Sequence, residues 1–142
     1  MSTNNASVIT VTTKVNAPVE KAWEYWNQPE HITQWYFASP DWHAPLASND
    51  LTVGGKLKIR MEAKDGSFGF DLEGDYDKVE PYKLVEYTFA DGRKVRVKFK
   101  SDSNSTEIEE SFDAESQNSQ EMQKQGWQNI LDNFKKYIET KK

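Results

Sequence analysis

The chain has 142 residues, no cysteine and a formal net charge of −5 at pH 7. This length is typical of one domain with a sizeable core, and the lack of cysteine excludes disulfides, thiolate zinc sites and a cysteine nucleophile. The acidic balance argues against nucleic acid, because phosphate binding requires a basic patch. No apolar window has the length of a signal peptide or membrane span, so we expect one cytoplasmic domain over residues 1–142 without membrane insertion.

The first third of the chain predicts a strand followed by two short helices. Apolar and polar side chains alternate from Val8 to Val15, as in a strand. Pro18 and Pro29 suit the first turns of two helices, the first of which ends near Asn27. From Ala38 to Asp50 there are two prolines and no periodicity. We therefore expect a loop there, long enough to have a function.

Alternation returns after Gly54-Gly55 and predicts five further strands. Asp65-Gly66 and Asp91-Gly92 indicate two tight hairpins. The first of these strands has a basic outer face and the second an acidic one. Cross-strand ion pairs are therefore expected to help fix the register, each contributing about 0.2–1 kcal/mol.

The segment from Ser119 to Lys142 predicts a long amphipathic helix. Its apolar stripe consists of Met122, Trp127, Ile130, Leu131, Phe134, Tyr137 and Ile138. Only the strand-rich middle of the chain can cover this stripe, which indicates an α+β fold with the helix laid across a curved antiparallel sheet. Gly126 costs the helix about 1 kcal/mol relative to Ala. Close packing against Gly69 or Gly74 is the simpler explanation, and room for a ligand is the alternative.

Several short motifs, in this order and spacing, resemble a known family. They are the run from Asn16 to Trp23, Pro29 with Trp35, Gly54-Gly55, Gly74, and Gln125-Gly126-Trp127. The family is the one named for the activator of the heat-shock-protein-90 ATPase, within the START-like (SRPBCC) superfamily. The resemblance implies a helix-grip fold like that of the birch-pollen allergen, with seven strands around the C-terminal helix. The residues themselves indicate six, so the seventh would come from dividing residues 68–79 or from the loop before Gly54.

Aromatic side chains supply the candidate ligand site. A concave wall of rings with a few hydroxyl or indole donors suits a flat apolar ligand, although the same rings could fill the core. We expect a cavity between sheet and helix, with the 38–50 loop as its gate. The candidate ligand-binding residues are Trp35, Tyr36, Trp42, Phe68, Phe70, Tyr76, Tyr87, Phe89, Phe99, Trp127 and Phe134.

Two residues are weak catalytic candidates. Glu110 falls on the predicted inward face of the last strand, where burial would raise its pKa and suit it to acid or base chemistry. The simpler interpretation is a strand-end residue that reaches solvent or a lysine. His43 more simply forms part of a pocket rim with Asp41. Zinc binding by these two and His31 would require convergent geometry, and we expect no metal and no cofactor.

Three functions fit these observations. The preferred hypothesis is a small protein that binds an apolar or aromatic molecule, such as a lipid or polyketide-like compound, beneath the C-terminal helix. The second is a chaperone-associated interaction module, which the resemblance implies, docking through Lys94, Arg96, Lys98 and Lys100. The third is a cyclase-like or hydrolase-like enzyme that uses Glu110 or His43 with bound water. Members of the superfamily include carriers, cyclases and chaperone activators, so the fold alone does not select among them.

Overall fold

The computed structural model describes residues 8–140. Its elements, in chain order, are β1 (Val8–Val15), α1 (Val19–Asn27), α2 (Pro29–Trp35), β2 (Trp42–Asn49), β3 (Lys56–Ala63), β4 (Gly69–Glu80), β5 (Leu84–Phe89), β6 (Lys94–Asp102), β7 (Ser105–Asp113) and α3 (Gln120–Thr140). The strands form one antiparallel sheet in the order β1-β7-β6-β5-β4-β3-β2. This sheet curls around α3, so the predicted α+β helix-grip architecture is confirmed. Lys141 and Lys142, which were predicted to continue α3, lie outside the described residues.

The seventh strand is β2, and it lies where a loop was predicted. Trp42 pairs with Ala63 and Asn49 pairs with Leu57. One extra residue of β2 between His43 and Leu46 forms a β-bulge, which breaks the two-residue alternation. Pro45 lies in that bulge and lacks an N–H, which is tolerated here because β2 is an edge strand. The prediction of a loop over residues 38–50 is therefore wrong for most of its length.

The other edge of the sheet is covered by side chains of α3. Gln128 donates a hydrogen bond of 3.1 Å to the carbonyl of Thr12. The ammonium of Lys135 donates one of 2.7 Å to the carbonyl of Lys14. Outward-facing carbonyls of β1 that no strand pairs with thus have partners from the helix.

The apolar stripe of α3 packs against the concave face of the sheet. Leu131, Phe134 and Ile138 are 0% exposed. Burial of each such side chain stabilises the fold by about 1.5–3 kcal/mol. Near the start of the helix, the ring of Trp127 stacks on that of Phe112 with centroids 3.9 Å apart. The hydroxyl of Ser119 accepts a hydrogen bond from the N–H of Met122, which caps the helix start.

Lysine and arginine side chains on the outer face of β3 meet carboxylates on β4, as predicted. Lys56 lies 3.4 Å from Glu73, and Arg60 lies 3.6 Å from Asp71. These pairs are partly or fully exposed, so each contributes little to the free energy of folding. The two predicted hairpins are present, but their connections span residues 64–68 and 90–93 rather than two residues.

Two glycines should respond oppositely to the same substitution. A Cβ at Gly74 would lie 2.8 Å from Cδ2 of Tyr87, whereas a Cβ at Gly126 would have no neighbouring heavy atom within 4 Å. Gly74→Ala is therefore expected to lower the free energy of unfolding by about 1–3 kcal/mol through overpacking. Gly126→Ala is expected to raise it by about 0.5–1 kcal/mol through helix propensity. Urea denaturation of both variants checks this, and equal effects would contradict it.

Candidate ligand cleft and its buried polar cluster

An open cleft of about 340 Å³ lies between the first half of α3 and the concave face of the sheet. The helix lines it with Met122, Gly126 and Ile130, which are spaced four residues apart, and with Gln123 and Trp127. The other lining residues are Tyr36, Ala38, Met61, Phe70, Leu72, Phe89, Arg93, Glu115 and Asn118. Most of these side chains are apolar. The polar lining residues include Arg93, from the connection before β6, and Glu115 and Asn118, from the connection after β7.

Four of the eleven predicted ligand residues line this cleft: Tyr36, Phe70, Phe89 and Trp127. Trp35, Phe99 and Phe134 instead surround Trp26 in the core, with ring centroids 4.8, 5.8 and 5.0 Å from it. Trp42 and Phe68 form an aromatic cluster with Phe70 beside the cleft. Tyr76 and Tyr87 lie deeper, and both are buried.

The sequence interpretation missed the aliphatic part of the wall. Met61 and Leu72 line the cleft from β3 and β4, and Met122 and Ile130 line it from α3. The spacing of Met122, Gly126 and Ile130 at i, i+4 and i+8 was the signal that could have found the helical side.

The space beneath the indole of Trp127 is filled by Phe112, so the cavity expected there is replaced by the cleft alongside it. Gly126 does not pack against Gly69 or Gly74, because the position of its missing Cβ faces open space. The packing interpretation of Gly126 is therefore wrong. The absent side chain leaves room in the cleft wall.

A second, much smaller void lies between the sheet and the two short helices α1 and α2, and polar groups form part of its border. Its volume is about 10 Å³, close to the space needed by one water molecule. The hydroxyl of Tyr76 donates to Oδ1 of Asn49 at 2.7 Å. Nδ2 of Asn49 donates to the carbonyl of Asn27, also at 2.7 Å. Tyr36 lines both this void and the cleft, so its side chain stands between them.

Glu110 is buried, contrary to the expectation that it reaches solvent or a lysine. It is 2% exposed, on β7 between Val11 of β1 and Val97 of β6. Removal from water raises the pKa of its carboxyl group from 4.5 to about 8. Within residues 8–140 no hydrogen bond or ion pair offsets this burial. A buried polar group without a partner costs about 1–3 kcal/mol.

The charge of this carboxyl group affects the pKa of two buried phenols. Burial raises the pKa of Tyr36, and the charge of Glu110 raises it further. Burial likewise raises the pKa of Tyr87, with added effects from Tyr36 and Glu110. The hydroxyl groups of Tyr36 and Tyr87 also interact with each other. We call Tyr36, Tyr87 and Glu110 the inner polar cluster.

The two histidines have separate partners. Nδ1 of His31 lies 2.8 Å from the Tyr137 hydroxyl, and its ring stacks on Tyr25. Nε2 of His43 lies 3.8 Å from Glu62 on the neighbouring strand. Neither lines the cleft. Among the described residues, no three His, Asp or Glu side chains are grouped so as to hold a metal ion.

Comparison with known families identifies the chain. The model of the family described as "Activator of Hsp90 ATPase homolog 1-like protein" matches residues 16–139. The chain belongs to this family. None of the three helices between residues 8 and 140 is long and apolar enough to span a membrane. No curated protein matches the chain.

Solved structures of similar proteins share the AHSA1-like fold. The AHSA1-like protein from Aeromonas hydrophila is 40% identical, with 93% of each chain covered and a TM-score of 0.84. A protein from Cytophaga hutchinsonii is 52% identical, covering 93% of this chain and 92% of its own, with a TM-score of 0.81. A protein from Chromobacterium violaceum, 18% identical, has a TM-score of 0.84 over 94% of this chain and 98% of its own, which shows the same fold.

The pH dependence of stability should report the burial of Glu110. Between roughly pH 4.5 and 8 the folded protein holds a proton on Glu110 that the unfolded chain has lost. The contribution of this group to the free energy of unfolding therefore falls by about 1.4 kcal/mol per pH unit across that window and is constant above it. Glu110→Gln should remove this slope, as measured by urea denaturation at several pH values.

Glu109→Gln is the matched control, because Glu109 lies next to Glu110 but on the opposite face of β7. Its stability should follow that of the wild type at every pH. If the difference between wild type and Glu110→Gln is independent of pH, Glu110 is ionised in the fold and the assignment fails.

Proposed function

We propose that this AHSA1-like protein binds an apolar or aromatic small molecule in the cleft between α3 and the sheet. The observation that carries the proposal is the opening at Gly126 in a mostly apolar wall. A volume of about 340 Å³ falls within the range of small-molecule sites. Helix propensity favours a residue with a side chain at position 126, and the glycine found there preserves space that a ligand would use.

The side chains that line the cleft suit an apolar or aromatic ligand. Phe89 and Trp127 lie with ring centroids 6.3 Å apart on opposite sides of the sheet–helix junction. Met122 is 65% exposed although it belongs to the apolar stripe of α3, so its side chain is available to cover a bound molecule. We propose binding rather than catalysis, because neither Glu110 nor His43 lines the cleft.

A fluorescent probe tests this function. The neutral dye N-phenyl-1-naphthylamine should bind the wild type with increased emission, because the cleft removes it from water. Gly126→Leu places an apolar side chain in the cleft and should weaken binding at least about tenfold, equivalent to 1.4 kcal/mol. The same variant should remain folded, because the added atoms enter open space.

Lys124→Leu provides the matched control. It adds the same side chain to the same helix at an exposed position that does not line the cleft. The dye should bind this variant as it binds the wild type. Failure of the wild type to bind the dye, or equal binding by Gly126→Leu, would refute the cleft as the ligand site.

A second candidate function is docking on a heat-shock-protein-90 chaperone, which family membership favours. The relevant surface is the basic outer row of β6. Arg96 is already paired with Glu86 at 2.9 Å, and Lys94 donates to Thr88. Lys98 and Lys100 form no ion pair within residues 8–140, so their ammonium groups are available to an acidic partner surface.

Stimulation of a purified heat-shock-protein-90 ATPase tests this candidate. If the row docks on the chaperone, the wild type should raise the ATPase rate and Lys98→Glu should reduce the increase, because the reversed charge repels an acidic surface. Lys58→Glu, in the other basic row of the sheet, should leave it unchanged. Absence of stimulation by the wild type would exclude the docking function.

A further inference from the structure

The charged groups of the cleft wall lie together at one end of the cleft. Among the described residues that line the cleft, only Arg93, just before β6, and Glu115, after β7, carry a charge. The two connections are adjacent, because the N–H of Lys94 donates a hydrogen bond of 2.9 Å to the carboxylate of Asp113. An apolar cleft with a charged end suits an amphipathic molecule better than a hydrocarbon.

The carboxylate of Glu115 is engaged within its own connection. It accepts hydrogen bonds from the N–H groups of Gln117 and Asn118, at 2.8 and 2.7 Å, and from Nδ2 of Asn118 at 2.8 Å. The bonds from Asn118 are the main reason that the pKa of Glu115 lies below its usual range. Gln123 of α3 holds the connection in place, because its Oε1 accepts from the N–H of Glu115 and its Nε2 donates to the carbonyl of Asn118. Most of the acceptor capacity of Glu115 is therefore used within the protein.

The guanidinium group of Arg93 is held in place but has donors to spare. Its Nε donates to Oδ2 of Asp91 at 2.8 Å, and its Cζ lies 5.2 Å from the centroid of the Phe89 ring, which also lines the cleft. The side chain is 27% exposed, so it remains accessible. Within residues 8–140, Nη1 and Nη2 of Arg93 donate no hydrogen bond. These two nitrogens match the planar geometry of a carboxylate, which accepts from both at once.

The charges around Arg93 favour an anion that bonds to it directly. Asp91 is paired with the guanidinium group and Glu115 lies in the adjacent connection, so their charges offset part of that of Arg93. Attraction of an anion from a distance is therefore weak. A carboxylate in contact with Nη1 and Nη2 gains the stronger, charge-assisted hydrogen bonds. The first turn of α3 borders the same end of the cleft through Gln123, and the positive end of the helix dipole adds to this preference.

We propose that the ligand is an apolar or aromatic carboxylic acid, whose carboxylate accepts hydrogen bonds from Nη1 and Nη2 of Arg93 while its apolar body lies along Gly126 and Ile130. This inference rests on the proposed binding function and adds the chemical class of the ligand. Arg93 is the residue that determines specificity. Glu115 shapes the charged end of the cleft without binding the ligand.

Two naphthalene probes of matched shape test the inference by isothermal titration calorimetry at pH 7. 2-Naphthoate is an anion at this pH, and 2-naphthamide is its neutral counterpart. The wild type should bind the naphthoate more tightly. Arg93→Gln should weaken binding of the naphthoate at least about tenfold, because charge-assisted hydrogen bonds are lost, and should change binding of the amide by about threefold or less.

Arg96→Gln provides the matched control. It removes the same charge from an exposed position of β6 that does not line the cleft. Both probes should bind this variant as they bind the wild type. Far-UV circular dichroism, together with retained binding of 2-naphthamide, shows that Arg93→Gln is folded.

The outcomes separate this inference from the proposed function. If neither probe binds the wild type, the proposed function itself fails. Equal binding of the two probes by the wild type, or an unchanged affinity of Arg93→Gln for 2-naphthoate, overturns this inference alone. Tighter binding of the cation 2-naphthylmethylammonium than of 2-naphthoate would also overturn it, because Glu115 rather than Arg93 would then select the ligand.

Discussion

The packing of α3 against the concave face of the sheet is the contact on which the rest of the structure depends. Leu131, Phe134 and Ile138 are fully buried there. The sheet is open, so without the helix its concave side would expose Val11, Val97 and their neighbours to water. Glu110 lies on this concave face and is buried there.

The two halves of α3 have different roles. Its second half is buried against the core, whereas its first half borders the cleft. Trp127 lies at the boundary, because one side of its indole stacks on Phe112 and its remaining surface lines the cleft. Stability and ligand access therefore depend on different turns of one element. Substitutions in the cleft can change binding without removing the contacts that hold the fold together.

Most of the fold could be predicted from the sequence, because alternation in the strands and the stripe of α3 are local signals. β2 was missed because Pro45 and the bulge interrupt its alternation. The inward direction of Glu110 was readable from β7, but its burial depends on tertiary packing over the sheet, which no local pattern reports. The cleft was predicted only in part for a similar reason. Phe89 on β5 and Phe134 on α3 have the same chemistry, and only their positions in the folded chain decide which lines the cleft and which fills the core.

The two edges of the open sheet have a consequence for the behaviour of the protein at high concentration. Unpaired strand edges are templates on which copies of a chain can add to one another's sheets. On β1, Gln128 and Lys135 occupy carbonyls that an incoming strand would need. On β2, Pro45 offers no N–H and the bulge disrupts the repeat. Each edge strand thus resists pairing with another copy of the chain. The open sheet is therefore protected from aggregation although it does not close into a barrel.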